Sequence, residues 1–201
     1  QQSYLLGPSE AGEKVFAGAH CPSNAPVKKY NVSAINVEIT LNQWGDYYPG
    51  YTYVLTEDID KIRAEEEKNA KAREDELDPG AVSNGLQGDA IQPLVIRANQ
   101  GDCVRIHFIN ELEDEDAGFQ VNGSAMIISS SGLPASAASP GGITVSGESQ
   151  DFEWMIPIDE QEGAHQIQSH AGRDPSSLGL TGTFVVEPVG SKYLDPWDAK
   201  P

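Results

Sequence analysis

Residues 94–112 read LVIRANQGDCVRIHFINEL, the segment that most directly indicates the type of fold. Two short apolar runs, residues 93–97 and 103–110, flank a polar turn at residues 99–102. The second run alternates between two faces, one of which carries Val104, Ile106 and Phe108. Alternation with a period of two predicts β-strands. The segment is therefore a strand–turn–strand unit, with His107 pointing outward or toward a neighbouring layer.

Short strand-like segments recur on both sides of this unit. Residues 30–41 alternate, and one face carries Ile35, Val37, Ile39 and Leu41. Additional strands are predicted at residues 126–128, 143–146, 150–156, 165–169 and 182–187. Short strands separated by turns that contain glycine and proline are typical of a Greek-key β-sandwich or barrel. The predicted fold class is therefore all-β.

One helix interrupts this pattern, from residue 56 to about residue 78. Thr56 is its expected N-cap, and the Pro-Gly pair at residues 79–80 is expected to end it. Acidic residues near its start and basic residues near its end suit the helix dipole. Its apolar residues form only a narrow stripe, which predicts a helix that lies on the protein surface.

Two segments are expected to lack regular structure. Residues 1–30 are polar and contain Gly7-Pro8 and two further prolines, so they predict an extended N-terminal arm. Residues 43–53 (QWGDYYPGYTY) are aromatic and rich in turn formers, which predicts a packed loop. The expected organisation is an arm at residues 1–30 followed by one β-domain at residues 31–201.

The charge of the chain limits its binding partners. Its 201 residues include 31 acidic and 13 basic side chains, for a formal net charge of −18. Nucleic-acid backbones and anionic membrane surfaces are bound through lysine and arginine, so both partners are disfavoured. Three interpretations of the negative charge remain: it keeps the protein soluble, it adapts the surface to high salt, or it forms a face that binds a cationic partner.

The sequence predicts an exported chain that has no membrane-spanning helix. The sequence has no apolar run of about 18 residues, so no membrane-spanning helix is predicted. The first residue is Gln1 and not methionine, which is expected of a processed chain whose signal peptide has been removed. No Gly-x-Ser-x-Gly elbow, Walker motif or dinucleotide fingerprint is present either.

Cys21 and Cys103 are the two cysteines, and neither lies in a CxxC motif or a Cys/His cluster. His20 stands beside Cys21, but one such pair is a poor half of a zinc site. Three states stay open: two buried free thiols, one long-range disulfide, or a nucleophilic cysteine. The disulfide is the favoured interpretation, because it would tie the arm to the β-domain, and it indicates an oxidising compartment.

Four pieces of the sequence resemble the first cupredoxin domain of the multicopper oxidases. They are residues 94–112, residues 120–125 (QVNGSA) in the place of the family's first His-x-His-Gly, the hairpin at residues 140–156, and residues 163–186 (GAHQIQSHAGRDPSSLGLTGTFVV). Residues 36–60 and 88–93 are similar to the N-terminal part of large bacterial members. The resemblance begins near Tyr30, covers about four fifths of the chain, and implies a cupredoxin-like β-sandwich with an inserted surface helix.

The resemblance also identifies copper ligands that this chain lacks. In the family, two His-x-His pairs on adjacent strands hold the type 2/type 3 copper cluster. Here Gln120 and Asn122 replace the first pair, and Gln168 and His170 replace the second, so His170 is the one remaining candidate metal ligand. Amides are weak copper ligands. No cofactor is therefore expected in this chain alone, and copper is expected only where another domain completes the site.

A type 1 blue-copper site is not expected either. Such a site needs one cysteine and two histidines, often with an axial methionine. By the resemblance, Ser169 stands at the position of the cysteine, Asp174 at that of the second histidine, and Gly179 at that of the methionine. Cys103 lies on a different strand and does not replace the missing thiolate.

The replaced positions are expected to keep an inner polar pocket without a metal. Buried amides there would need partners such as Ser124 or Ser169. His165 and His170 are expected on opposite faces of one strand, which disfavours a site made of the two. His170 itself is either a hydrogen-bonded structural histidine or one ligand of a site that a second chain or domain completes.

The acidic run ELEDED at residues 111–116 is the other candidate for a metal. Calcium prefers oxygen ligands, so a structural calcium near Glu113, Asp114 or Asp116 is one interpretation. The EF-hand spacing is absent, and a solvated acidic loop is the alternative.

Two functions follow as expectations. The first is a secreted, extracellular or periplasmic cupredoxin-fold protein without copper chemistry of its own. It would act as a structural or assembly subunit, or as a binding partner in an electron-transfer complex. Its partner would be a protein, such as a cationic or redox protein, or further cupredoxin domains. The alternative is the N-terminal structural domain of a multidomain multicopper oxidase, a copper-dependent oxidoreductase whose active coppers lie in other domains.

Overall fold

A computed structural model describes residues 5–8, 14–16, 20–42, 44, 46–74, 88–136, 141–171 and 178–192. In chain order the elements are β1 (Leu5–Pro8), β2 (Lys14–Phe16), β3 (Val27–Thr40), β4 (Tyr47–Leu55), α1 (Ile59–Glu74), β5 (Leu94–Asn99), β6 (Cys103–Asn110), β7 (Gln120–Val121), β8 (Ile127–Ile128), β9 (Ser149–Met155), β10 (Gly163–Gln168) and β11 (Thr181–Glu187). A short 3-10 turn, Thr56–Asp58, precedes α1.

Two mixed sheets form the domain. One has the strand order β4-β3-β6-β9-β8 and the other has the order β5-β11-β10-β7. The pairs β3/β6 and β5/β11 are parallel, whereas the other pairs within these two sheets are antiparallel. Strands that are neighbours in space are thus often distant in sequence, as in a Greek key. The predicted all-β, cupredoxin-like sandwich is confirmed.

The core lies between the inner faces of the two sheets. The strand β6 presents Val104, Ile106 and Phe108 to it, as its alternation predicts, and each of these side chains is at most 1% exposed. The rings of Tyr53, Phe108, Phe119 and Phe152 form one aromatic cluster. Edge-to-face and offset ring contacts stabilise such a cluster beyond the area it buries.

The packed loop predicted at residues 43–53 is wrong, because most of it belongs to strand β4. Asn42 forms the turn that starts this strand: its Oδ1 accepts hydrogen bonds from the backbone N–H groups of Trp44 and Asp46, at 2.9 and 3.3 Å. The strand β4 pairs with β3 along its whole length and forms the sheet edge. An edge strand tolerates Pro49, and aromatic side chains favour the pleated surface.

Three other boundaries differ from expectation. The first strand of the sandwich begins at Val27 and not at Tyr30, since residues 27–34 pair with β6. Residues 143–146 form no strand, and Thr144 makes only an isolated bridge to Ala117. In the arm, Gly7 and Pro8 do not exclude strand structure, because β1 and β2 pair antiparallel.

The predicted surface helix is present and lies against β3. Its buried residues are Ile62, Glu65, Asn69 and Ala72, a narrow stripe as expected. Thr56 is not its N-cap, because it begins the 3-10 turn and its hydroxyl lies 2.9 Å from that of Ser33. The described part of α1 ends at Glu74, and the predicted end near residue 78 lies outside the described residues. No helix in the described part of the chain is long and apolar enough to span a membrane.

Glu65 ties α1 to the segment that leads into β5. Its carboxylate Oε2 accepts hydrogen bonds from the backbone N–H groups of Ala90 and Ile91, the second at 3.2 Å. We expect Glu65→Ala to lower the free energy of unfolding by about 2 kcal/mol, since buried hydrogen bonds to a charged group are lost. Urea unfolding measures this loss. Glu67→Ala is the matched control, because Glu67 is 74% exposed and its one ion pair within the described residues is with Lys71. Equal losses for the two variants would contradict the assignment.

Candidate functional site

The short pairing of β7 with β10 brings two of the replaced ligand positions together. Gln120 lies opposite Gln168, and Val121 lies opposite Ile167. Val121 and Ile167 are buried in the core, at 1% and 0% exposure. Because side chains alternate along a strand, Gln120 and Gln168 lie on the outer face of this sheet edge.

His170 belongs to the same outer face, just beyond the end of β10, and is exposed. Its ring Nε2 lies 2.9 Å from the amide Nε2 of Gln168. The amide nitrogen can only donate, so the ring Nε2 is the acceptor in this contact. This hydrogen bond engages the Nε2 lone pair of His170, one of its two possible metal-binding atoms.

Asn122 follows β7 directly and adds a third amide to the polar outer face. Its backbone N–H donates to the carbonyl of Gln166 at 2.9 Å, which extends the β7/β10 pairing. Asn122 is half-buried, as are Gln120 and Gln168. The predicted inner polar pocket is therefore wrong: the four positions form a surface patch, which we call the amide patch (Gln120, Asn122, Gln168 and His170).

The serines expected to satisfy buried amides bind the backbone instead. The Ser124 hydroxyl donates to the carbonyl of Val121 at 2.8 Å. The buried Ser169 Oγ accepts from the backbone N–H groups of Gly118 and Ala171, at 2.9 and 3.2 Å. These two bonds hold the segment before β7 against the end of β10, and so position the amide patch.

A buried phenol supports the same segment. Tyr53 on β4 is fully buried, and its hydroxyl donates to the carbonyl of Gly118 at 2.5 Å. Burial raises the pKa of Tyr53 above its ordinary value, so the side chain stays neutral across the physiological range. This contact links the aromatic core to the segment that leads into β7 and Gln120.

His165 lies on the inner face of β10, opposite to the amide patch. It lines a pocket of about 270 Å³ together with Trp154, Phe184 and Val186. Its Nδ1 lies 3.3 Å from the backbone carbonyl of Asn122. His165 and His170 therefore do not converge on one metal, in agreement with the expectation from their spacing.

The positions equivalent to a type 1 copper site do not fit that metal. Ser169 is engaged by two backbone N–H groups, as described above. Gly179 has a φ of 104°, and a Cβ at this residue would lie 2.7 Å from the carbonyl oxygen of Tyr51. A methionine could not occupy this position without moving the backbone of β4. Asp174 lies outside the described residues.

The donor set of the amide patch does not fit a copper cluster either. Three of its four side chains are amides, and the one imidazole is hydrogen-bonded to one of them. Redox-active copper in proteins is held by imidazole, thiolate and thioether ligands, which the patch does not supply in sufficient number.

The predicted disulfide between Cys21 and Cys103 is present, with Cα atoms 5.8 Å apart. It lies on the outer face of the five-stranded sheet, whereas the amide patch lies on the four-stranded sheet. Beside it, the Glu153 carboxylate contacts the ring Nδ1 of His20 through Oε1, and its Oε2 accepts from Arg105 Nε at 3.1 Å. Sequence reasoning missed Glu153, because only the β6/β9 register brings it to the cysteines.

The acidic loop at residues 111–116 is solvated, with most of its side chains exposed. Glu111 Oε1 accepts from the Ser33 hydroxyl at 2.8 Å, and the Glu113 backbone N–H donates to Asn36 Oδ1 at 2.9 Å. Within the described residues, the one group of three or more possible metal ligands is Cys21, Cys103 and Glu153. The loop therefore shows no convergent set of carboxylates of the kind a calcium site needs.

Comparison with solved structures identifies the fold. A multicopper oxidase from Pseudomonas thermotolerans aligns with 85% of this chain at 18% identity and a TM-score of 0.51. A single-residue mutant of the laccase from B. aclada aligns with 84% at 18% identity and a TM-score of 0.50. The chain spans 32% and 24% of the lengths of these two proteins. No family model matches the sequence, and no curated protein does. The chain thus has the fold of a cupredoxin domain of the multicopper oxidases.

Proposed function

We propose that this chain is a structural and binding domain of an extracellular or periplasmic cupredoxin assembly, and that it performs no copper chemistry of its own. The observation that carries the proposal is the amide patch, where three amides stand at positions that hold imidazoles in the family it resembles. Amides keep the polar, hydrogen-bonding surface of these positions while removing the strong copper ligands. The disulfide supports an oxidising compartment.

The proposal that the partner is cationic rests on an acidic face of the domain. The Ser33 hydroxyl contacts both the start of the helical segment, at Thr56, and the acidic loop, at Glu111. Asn36 contacts the same two elements: its backbone carbonyl accepts from Arg63, and its side chain accepts from the Glu113 backbone N–H. The strand β3 therefore joins two acidic segments that are separated in sequence.

The joined segments form what we call the acidic face. Its exposed members are Glu57, Asp60, Glu111, Glu113, Asp114, Glu115 and Asp116. Nearby basic side chains are already paired with carboxylates, since Lys61 binds Asp58 and Arg63 binds Glu66. The face is thus strongly negative and suits a partner that presents lysine and arginine, such as a basic electron-transfer protein.

Binding to a basic c-type cytochrome tests the acidic face. We expect the affinity measured by calorimetry to fall steeply as the salt concentration rises from about 50 to about 300 mM, because the contacts are between exposed charges. The double variant Glu113→Gln/Asp116→Asn should weaken binding at low salt by about tenfold or more.

A variant with the same change in net charge is the matched control. Asp159 and Glu162 are exposed on the loop between β9 and β10. This loop lies at the end of the sandwich opposite to the acidic loop. There the backbone N–H of Gly101, just before β6, donates to the carbonyl of Ile156 at 3.0 Å. Asp159→Asn/Glu162→Gln should leave the affinity nearly unchanged. Equal weakening by both double variants would show a general charge effect and contradict a localised docking face.

A second candidate function is a structural domain within a larger multicopper oxidase. It is favoured by the exposed His170 beside β7, the edge strand of its sheet, where a neighbouring domain could supply further imidazoles. In such a protein, His170→Ala should lower the copper content, whereas His107→Ala, on the other sheet, should not. An unchanged copper content in the His170→Ala protein would contradict this alternative.

A further inference from the structure

The surroundings of the disulfide point to a second possible state of this site. The two sulfur atoms and a carboxylate oxygen of Glu153 all lie within 4.8 Å of one another. The ring Nδ1 of His20 contacts the same carboxylate. Two sulfurs, one imidazole and one carboxylate form a donor set of the kind that binds zinc tetrahedrally.

We propose that, when the disulfide is reduced, Cys21, Cys103, His20 and Glu153 form a zinc site that replaces the covalent crosslink. Zinc lies about 2.3 Å from a thiolate and about 2.0 Å from nitrogen or oxygen, so tetrahedral ligand atoms are about 3.3–3.8 Å apart. The two sulfurs and the Glu153 oxygen, which lie within 4.8 Å of one another, require only small side-chain movements. The exposed His20 ring already contacts the Glu153 carboxylate and would have to turn toward the sulfurs. The inference does not depend on the proposed function.

Two of the four ligands are held by the rigid sheet. Cys103 begins β6 and is fully buried, and Glu153 lies on the adjacent strand β9 with 6% exposure. The other two, His20 and Cys21, come from the segment before β3, where His20 is exposed. Zinc can therefore enter from solvent, and it would fasten the N-terminal segment to the sheet at the same place as the disulfide does.

Arg105 completes the site electrostatically. It pairs with Glu153 on the neighbouring strand, and its Nε donates to Glu153 Oε2 at 3.1 Å. This bond orients the carboxylate and leaves Oε1 in contact with His20. Two thiolates and one carboxylate around Zn²⁺ carry a net charge of −1, which the guanidinium offsets.

The chemistry of the conversion balances with a phosphine reductant. A water-soluble phosphine transfers two electrons to the S–S bond and becomes a phosphine oxide with the oxygen of one water molecule. Two thiols form from the two sulfurs. Zinc then displaces both thiol protons, while His20 binds as neutral imidazole and Glu153 as carboxylate.

Intact-mass spectrometry under native conditions tests the site with Zn²⁺ as the probe. The reduced full chain should gain one zinc and lose two protons, whereas the oxidised chain should gain none. Competition with a chelator should show zinc binding weakened at least about tenfold in His20→Ala and in Glu153→Gln, because each removes a ligand. A reduced chain without bound zinc would overturn the proposal.

His107→Ala is the matched control, because His107 also pairs with a carboxylate on β9, Asp151 at 2.8 Å, but has no cysteine beside it. Its zinc affinity should equal that of the unchanged chain, and an equal loss in His20→Ala and His107→Ala would overturn the proposal. If reduction unfolds the chain, thermal unfolding of the reduced chain with and without Zn²⁺ tests the proposal instead. Zinc should then restore a cooperative transition, and its failure to do so would also overturn the proposal.

Discussion

Replacing both cysteines with serine should lower the free energy of unfolding by about 4–5 kcal/mol, the largest effect we expect from any local change. The disulfide joins residues that are 82 positions apart, so its loss frees a long loop in the unfolded chain. It also anchors the segment before β3 to the sheet. The same segment contacts the sheet at two further places: the Cys103 N–H donates to the Pro26 carbonyl at 2.7 Å, and His20 contacts Glu153.

Urea unfolding of the oxidised chain and of Cys21→Ser/Cys103→Ser measures this effect. The single variant Cys21→Ser should be about as unstable as the double variant, since either substitution removes the bond. A phosphine reductant should destabilise the unchanged chain and leave the double variant unaffected. A loss below about 1 kcal/mol would show that the crosslink contributes little in the folded domain.

Phe119→Ala should lower the free energy of unfolding by about 3–5 kcal/mol, because it leaves a cavity in the centre of the core. Phe119 is 1% exposed, and its ring centroid lies 5.4 Å from that of Tyr53, 5.7 Å from Phe108 and 6.4 Å from Phe152. It therefore contacts both the edge strand β4 and the central strands β6 and β9.

The matched control for this variant is Trp44→Ala, which removes a larger aromatic side chain that is 62% exposed. Its free energy of unfolding should change by no more than about 0.5 kcal/mol. Chemical denaturation of the two variants measures the difference. If both variants lose the same free energy, the aromatic cluster is not the centre of the core.

Features with a strong local pattern could be predicted from the sequence. The alternation in residues 103–110 identifies β6. The charged segment after Thr56, whose apolar residues form only a narrow stripe, identifies α1 as a surface helix. The disulfide is the favoured one of three open states because it would tie the N-terminal arm to the β-domain, and the structure confirms it.

Features fixed by pairing with distant strands could not be predicted. The strand β4 contains Pro49 and several turn formers, and only its pairing with β3 shows that it is an edge strand. The strand β7 has two residues, too few for a periodic signal. The proximity of Glu153 to Cys103 and the outward placement of the amide patch both follow from strand register, which one sequence does not specify.

Copper loading tests the central claim, that the ligand positions of the cupredoxin fold are present here without their metal chemistry. The oxidised chain is incubated with Cu²⁺, washed with a weak chelator, and measured for bound copper and visible absorption. The matched variant Gln120→His/Asn122→His/Gln168→His places three imidazoles beside His170. We predict far less than one copper per chain and no intense thiolate-to-copper band for the unchanged protein, and about one copper per chain for the variant. One or more tightly held coppers in the unchanged chain, or a blue absorption band, would contradict the account.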